Sequence, residues 1–179
     1  QQVNLADQPE ATSWSDSDGD GVSNLEEFQA GTDPLDSGFT TGFLRWDLWY
    51  DVPGVYVRNF TKSAHFTSIP SQSRLLSSTT TPMLTAGNAA SRLSGYLVPE
   101  STGTYQFALS ADDSAEFWLS TDDQSENRKL LAFCDTWRRP ERYRAIDAQL
   151  SEPIDLQAGK VYFLEVLHKD QKSPGHIEL

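Results

Sequence analysis

The chain has 179 residues and carries 14 Lys plus Arg against 26 Asp plus Glu, so its formal charge is −12. That balance argues against a generic binder of nucleic acid or anionic membrane. An apolar fraction of 37% with 11% aromatic residues is enough for a core and excludes wholesale disorder. No run approaches the roughly 18 apolar residues of a membrane helix, so membrane insertion is not expected. No charged-then-apolar leader opens the chain, and an export signal is expected outside these residues. Cys134 is the only cysteine, which excludes an internal disulfide and a Cys-rich zinc site; it reads as a small buried hydrophobe.

The charge is unevenly spread. Residues 1–44 hold nine acids and no Lys or Arg, whereas the remainder holds 17 acids and 14 bases. So acidic a segment, with few large apolar residues, is too poor in core to fold by burial alone. The string Asp16-Ser17-Asp18-Gly19-Asp20-Gly21-Val22-Ser23-Asn24-Leu25-Glu26-Glu27 supplies another means, because it fits a twelve-position calcium loop. Asp16, Asp18 and Asp20 occupy its positions 1, 3 and 5, and Gly21 the sharp turn at 6. Val22 offers a carbonyl, Asn24 stands at position 9, and Glu27 at 12 can be bidentate. Ser23 stands where a paired helix–loop–helix hand has an apolar residue, so a paired hand is not expected. A short helix over 25–30 follows, closed by Gly31 and turned out by Pro34.

This string, DSDGDGVSNLEEFQAGTDPLD, resembles the bacterial thrombospondin type 3 calcium repeat. The resemblance implies that Asp33 of its Thr-Asp-Pro turn also serves the metal, with Asp36 a weaker candidate. Residues 1–41 are therefore read as a calcium-binding segment with an EF-hand-like loop and helix.

From Phe43 onward the apolar period becomes two. Tyr105, Phe107 and Leu109 alternate with Gln106, Ala108 and Ser110. Phe117 and Leu119 alternate with Glu116 and Trp118, and Tyr162, Leu164 and Val166 with Phe163, Glu165 and Leu167. Pro53-Gly54, Pro99, Gly103, Pro140, Pro153 and Gly159 punctuate these runs. An all-β antiparallel sandwich over 42–179 is predicted, with 71–85 a long surface connection anchored by Leu75, Leu76, Met83 and Leu84.

Leu93-Ser94-Gly95-Tyr96-Leu97-Val98-Pro99-Glu100-Ser101-Thr102-Gly103-Thr104-Tyr105-Gln106-Phe107, then Ser110-Ala111-Asp112-Asp113-Ser114-Ala115-Glu116-Phe117-Trp118-Leu119-Ser120, resemble the lectin-like fourteen-kilodalton domain named after anthrax protective antigen. Arg45-Trp46-Asp47-Leu48-Trp49, Leu75-Leu76-Ser77-Ser78, and Ala158-Gly159-Lys160-Val161-Tyr162-Phe163 with His168-Lys169-Asp170 match the same bacterial pattern in the same order. The resemblance implies a final strand that continues past Leu179.

Asp112-Asp113 stands at a strand-to-strand corner. Adjacent carboxylates repel unless a cation or strong donors lie between them, so the pair points to a metal. The resemblance implies Ca²⁺ on Asp112 and Asp113, whose coordination shell neighbouring sugar hydroxyls complete. A sugar site also needs an apolar platform, and Trp137 is the candidate because no strand alternation accounts for it. Trp46, Trp49 and Trp118 sit in strand-like runs and read as core. Asp122-Asp123 reads as an exposed turn. His168, Lys169 and Asp170 close a strand that reaches the same end, where Asp170 is a third candidate ligand. The basic loop of Arg138, Arg139, Arg142 and Arg144 could bind an acidic glycan or partner, but the acids Asp135, Glu141 and Asp147 among these arginines favour a salt-bridged face.

No Ser-His-Asp elbow, metalloprotease His pair or phosphate loop is present, and neighbouring loop carboxylates cannot flank a glycosidic bond from two sides. Catalysis by this chain is not expected. Two functions remain. The first is a calcium-dependent carbohydrate-binding module of a secreted or cell-surface protein, either an adhesin or a polysaccharide-active enzyme of several domains. The second is a calcium-stiffened spacer or protein-interaction segment. Millimolar extracellular calcium suits loops of modest affinity, which places either outside the cell.

Overall fold

The computed structural model describes Asn24, residues 42–172 and residues 174–179. The chain divides into two compact units, Gln1–Phe43 and Leu44–Leu179. In the first, Asn24 is helical and buried. The expected ligands Asp16, Asp18, Asp20, Val22, Glu27 and Asp33 lie outside the described residues.

The second unit is the all-β antiparallel fold that the alternating pattern predicts. Its strands are β1 (Leu44–Trp49), β2 (Gln72–Leu76), β3 (Ala89–Leu97), β4 (Gly103–Tyr105), β5 (Ser110–Asp112), β6 (Ser114–Leu119), β7 (Lys129–Cys134), β8 (Ile154–Leu156), β9 (Tyr162–Asp170) and β10 (His176–Glu178). Six form one sheet in the order β2-β1-β3-β9-β6-β7, each pair antiparallel. The facing layer consists of the pairs β5–β10 and β4–β8.

Period-two patterning fixes which side chains meet between the layers. Trp46 and Leu48 of β1, Leu93 of β3, Phe117 and Leu119 of β6, and Leu164 and Val166 of β9 face inward. They join Leu109, Ala111, Leu156 and Ile177 from the facing layer in one buried cluster. Cys134 lies in the same cluster, where burial pushes its thiol up to about 11. Each large side chain removed from water there contributes about 1.5–3 kcal/mol.

The opposite face of the six-stranded sheet is partly covered by a short helix, α1 (Val57–Thr61). The Asn59 side chain accepts the Tyr56 N–H at its start, 3.0 Å away. Phe60 packs on Trp49 and Phe66 with ring centroids 5.0 and 5.1 Å apart, and Val52, Val57, Ala90 and Leu167 complete a second apolar cluster. The remainder of that face is ionic. Buried Asp47 accepts Arg45 Nε at 2.9 Å, Arg92 Nη2 at 2.8 Å and Ser73 Oγ at 2.6 Å, and Arg128 Nε lies 3.1 Å from Glu165.

Three expectations need correction. The stretch over 71–85 contains the edge strand β2, paired to β1 with Leu76 opposite Leu44, and is not simply a connection. Its side chains are exposed or half-buried, so it lacks the apolar alternation of an inner strand. The run from Tyr105 to Ser110 is not one strand. Phe107 N–H donates to Ser151 Oγ and Leu109 N–H to the Gln149 carbonyl, so its backbone is satisfied by the irregular segment around residues 149–151. Trp118 is not core: it lies on the ionic face, half-buried, with its indole N–H on Glu116 at 3.2 Å.

Candidate functional site: a carboxylate triad beside an exposed tryptophan

Three strand ends converge at one edge of the sandwich. β5 ends at Asp112, Asp113 makes the corner, and β6 begins at Ser114. Ser114 pairs with Lys169 near the end of β9, which brings Asp170 alongside, while His176 of β10 pairs with Asp112 on the other flank. The peptide bond between Asp112 and Asp113 is cis. One carboxylate oxygen from each of Asp112, Asp113 and Asp170 lies within 4.8 Å of the others.

The surroundings hold these carboxylates without neutralising them. Gln171 N–H donates to Asp113 Oδ2 at 2.9 Å, and Lys172 N–H to Asp170 Oδ1 at 3.1 Å. Asp170 Oδ2 is buried and has no hydrogen-bond partner. Beneath the corner, His168 Nε2 lies 2.6 Å from the Asp112 carbonyl and Nδ1 lies 3.2 Å from Ser91 Oγ. A carbonyl only accepts, so Nε2 carries the proton and Nδ1 accepts the Ser91 hydroxyl. Full burial pulls this imidazole down to about 4, so it stays neutral. Lys169 is fully buried on β9, yet its ammonium donates to the Ala89 and Asp170 carbonyls, at 3.1 and 2.6 Å. Burial lowers it to about 8, against the opposing charges of Asp170 and Asp113. Among the described residues no Lys, Arg or His forms an ion pair with the triad.

The triad therefore repels itself. Burial, then the charge and a shared hydrogen bond of Asp113, then the charge of Asp170 push Asp112 up to about 7. The Trp137 indole N–H, which approaches the Asp112 carboxylate, pulls it the other way. Burial and the Asp113 charge raise Asp170 to about 6. A dication would reverse both effects. Calcium binds oxygens at about 2.4 Å, so ligands on opposite sides of one ion stand about 4.8 Å apart. The spacing of the three oxygens, the orphaned Asp170 oxygen and the all-oxygen donor set fit that ion. Gly175 packs close against the triad: a Cβ on it would meet Asp170 Cβ at 2.8 Å and the Asp112 carbonyl at 3.0 Å.

The structure thus brings Asp112, Asp113, Asp170 and Trp137 together, and Trp137 is 51% exposed. Trp46 and Trp49 are buried at 2% exposure, as expected. Asp122 is a turn residue that accepts Gln124 N–H at 3.0 Å and Asn127 Nδ2 at 2.7 Å, and Asp123 is exposed. The expected salt-bridged face is not formed. Every ion pair among the described residues lies on the ionic face of the large sheet, and none involves Arg138, Arg139, Arg142 or Arg144. Glu178 of β10 is occupied by Glu141 N–H and the Tyr143 hydroxyl of that loop. Buried Lys169, neutral His168 and Gly175 carry no local sequence signal of their roles, because strand pairing alone brings them to the corner.

Comparisons with known proteins agree with this architecture. Residues 16–37 match the bacterial TSP3 repeat. The mouse enzyme N-acetyl-beta-glucosaminyl-glycoprotein 4-beta-N-acetylgalactosaminyltransferase 1 is 35% identical over 97 residues, covering 51% of this chain and 9% of that protein. The chain thus spans less than a tenth of that relative. Among solved structures, the epithelial adhesin 9 A domain of Candida glabrata, in complex with Galβ1-4GlcNAc, superposes with a TM-score of 0.52 at 16% identity, covering 77% of this chain and 81% of that one. A beta-glucosidase from Kluyveromyces marxianus gives 0.50 at 16% identity over 75% of this chain and 16% of its own. The PA14 domain matches residues 52–179, and the chain belongs to the PA14 domain family.

Proposed function

We propose that this chain is a calcium-dependent carbohydrate-binding module. Ca²⁺ is held by Asp112, Asp113 and Asp170, and a vicinal diol of the sugar completes its oxygen shell. Trp137 takes the C–H face of the ring. The observation that carries this reading is the convergence of three carboxylates, one with a buried oxygen lacking any partner, beside a half-exposed tryptophan. The Candida glabrata adhesin domain, a disaccharide complex of the same fold, supports it. The Ser91–His168 pair beneath the corner is wholly buried and its imidazole is tied to a carbonyl, which disfavours a catalytic use of that pair. The role is binding, within a longer secreted or cell-surface protein such as an adhesin or a polysaccharide-active enzyme.

The match to the TSP3 repeat supports a second calcium site at Asp16, Asp18, Asp20, Val22, Glu27 and Asp33 that stiffens the N-terminal segment. Alone, that site would serve equally in a spacer without sugar binding.

The test is a glycan array probed in calcium and in chelator with the wild type, the Asp112→Ala/Asp113→Ala variant and Trp137→Ala. Calcium-dependent binding that both variants lose is the expected result. Absence of binding to every glycan, with calcium still raising the melting temperature, would overturn the sugar reading in favour of the spacer.

A further inference from the structure

The loop that carries Trp137 also carries four arginines within seven residues, in a chain of net charge −12. It is fastened to the triad's own strand. Arg138 N–H donates to the Ala111 carbonyl at 3.0 Å, one residue before Asp112, and Ser110 Oγ donates to the Arg139 carbonyl at 3.0 Å. Farther along, Arg142 N–H bonds the Arg139 carbonyl at 3.2 Å, and Gln149 Nε2 bonds the Arg142 carbonyl at 2.6 Å. The backbone is thus tied at four points, and the guanidiniums differ in what they do. Arg138 is spent inside the loop, with Nη1 on Thr136 Oγ1 at 2.5 Å and on the Trp137 carbonyl at 2.9 Å. Arg139 projects with its guanidinium carbon 5.8 Å from the centre of the Trp137 ring. Arg139, Arg142 and Arg144 are exposed and have no carboxylate partner among the described residues.

We infer that the Trp137–Arg139 arm selects an acidic sugar: a ring lying on Trp137 with its diol on the metal directs a carboxylate or sulfate substituent onto Arg139, with Arg142 adding charge. A neutral sugar would gain only ordinary hydrogen bonds to its hydroxyls from these cations. An anionic one gains a charge-assisted contact with a planar donor fork suited to either group. Uronates and sulfate esters share this chemistry. The inference rests on the sugar-binding reading of the triad.

The experiment measures affinities of the full chain in calcium for matched ligands: oligogalacturonides free and methyl-esterified, and galacto-oligosaccharides with and without 6-sulfation. At least one acidic member should bind about tenfold more tightly than its neutral partner, the order expected for one charge-assisted contact. Which pair responds distinguishes carboxylate from sulfate. In Arg139→Gln/Arg142→Gln that ratio should fall to within about twofold, while an unchanged calcium-induced rise in melting temperature shows that fold and metal site persist. Calcium-dependent binding with equal affinity for acidic and neutral members, or an acidic preference that survives the double substitution, overturns the inference and leaves the sugar reading standing. Acidic binding indifferent to chelator and to Asp112→Ala/Asp113→Ala overturns the sugar reading and the inference together, whereas a failure to bind any member overturns the inference alone and leaves the sugar reading to the glycan array.

Discussion

Replacing Asp170 by Asn should change stability with opposite sign in the presence and absence of calcium. Asp170 is fully buried, and its carboxyl is raised from 3.8 to about 6 by burial and by the Asp113 charge. A raised carboxyl favours the protonated folded state. Its contribution is therefore complete below pH about 3.8 and is lost as pH rises through about 6. Two units at about 1.4 kcal/mol each amount to about 3 kcal/mol of strain in the metal-free protein at pH 8. Asn carries no charge and keeps the oxygen that accepts Lys172 N–H, so in chelator at pH 8 the variant should be more stable by up to about 3 kcal/mol. The gap should close toward pH 4. In calcium at about a thousand times the dissociation constant the order reverses, because the wild type gains about 4.1 kcal/mol, more than the strain it carries, and the variant has lost a ligand charge. Urea unfolding at pH 4, 6 and 8, in chelator and in calcium, reads all of this. Calcium at the N-terminal loop affects both proteins alike and cancels. A variant less stable than wild type in chelator at pH 8, or a gap independent of pH, would refute the reasoning.

Two further outcomes rest on the described residues and a third on the sequence of the N-terminal loop. Asp47→Ala should cost about 2–3 kcal/mol at pH 7 by urea unfolding; its arginine partners are about 30% exposed, so water takes over part of their solvation. Burial raises the Asp47 carboxyl, but the Arg45 charge and the bonds from Ser73, Arg92 and Arg45 outweigh it and hold it below 3.8, so this deficit should shrink only as pH falls below that value. Gly175→Ala should weaken calcium binding at the triad several-fold by calorimetry, because its Cβ would sit 2.8 Å from Asp170 Cβ; unchanged affinity would show that the packing there yields freely. Chelation should release amide protection over residues 14–36 before the sandwich in hydrogen exchange, since four loop carboxylates then repel one another.

The sequence discloses those parts of the site whose chemistry is local. Asp112-Asp113 is conspicuous because two adjacent carboxylates need an explanation wherever they stand, and Trp137 because it breaks the strand alternation. Asp170 is legible only as an acid ending a strand; its place beside the doublet depends on pairing Ser114 with Lys169, 55 positions apart in the chain. Trp118 misleads because both faces of the large sheet are partly covered, one by the facing layer and one by α1, so alternation shows that a strand exists without saying which face is the core. The arginine loop misleads differently. Its acids are close in sequence, but backbone bonds direct the loop toward β5 and Glu178, and among the described residues its arginines form no ion pair.

The position of β9 has a mechanical consequence. Asp170 ends a nine-residue strand hydrogen-bonded along one side to β3 and along the other to β6. Tension applied through an ion at the triad and directed along that strand would load two ladders in shear, so many backbone hydrogen bonds would share it and have to fail together. The Trp137 arm, tied to β5 by two bonds, would instead peel one bond at a time. Under load the ring contact would give way before the metal mount, and the corner would keep its shape for the ligand to return.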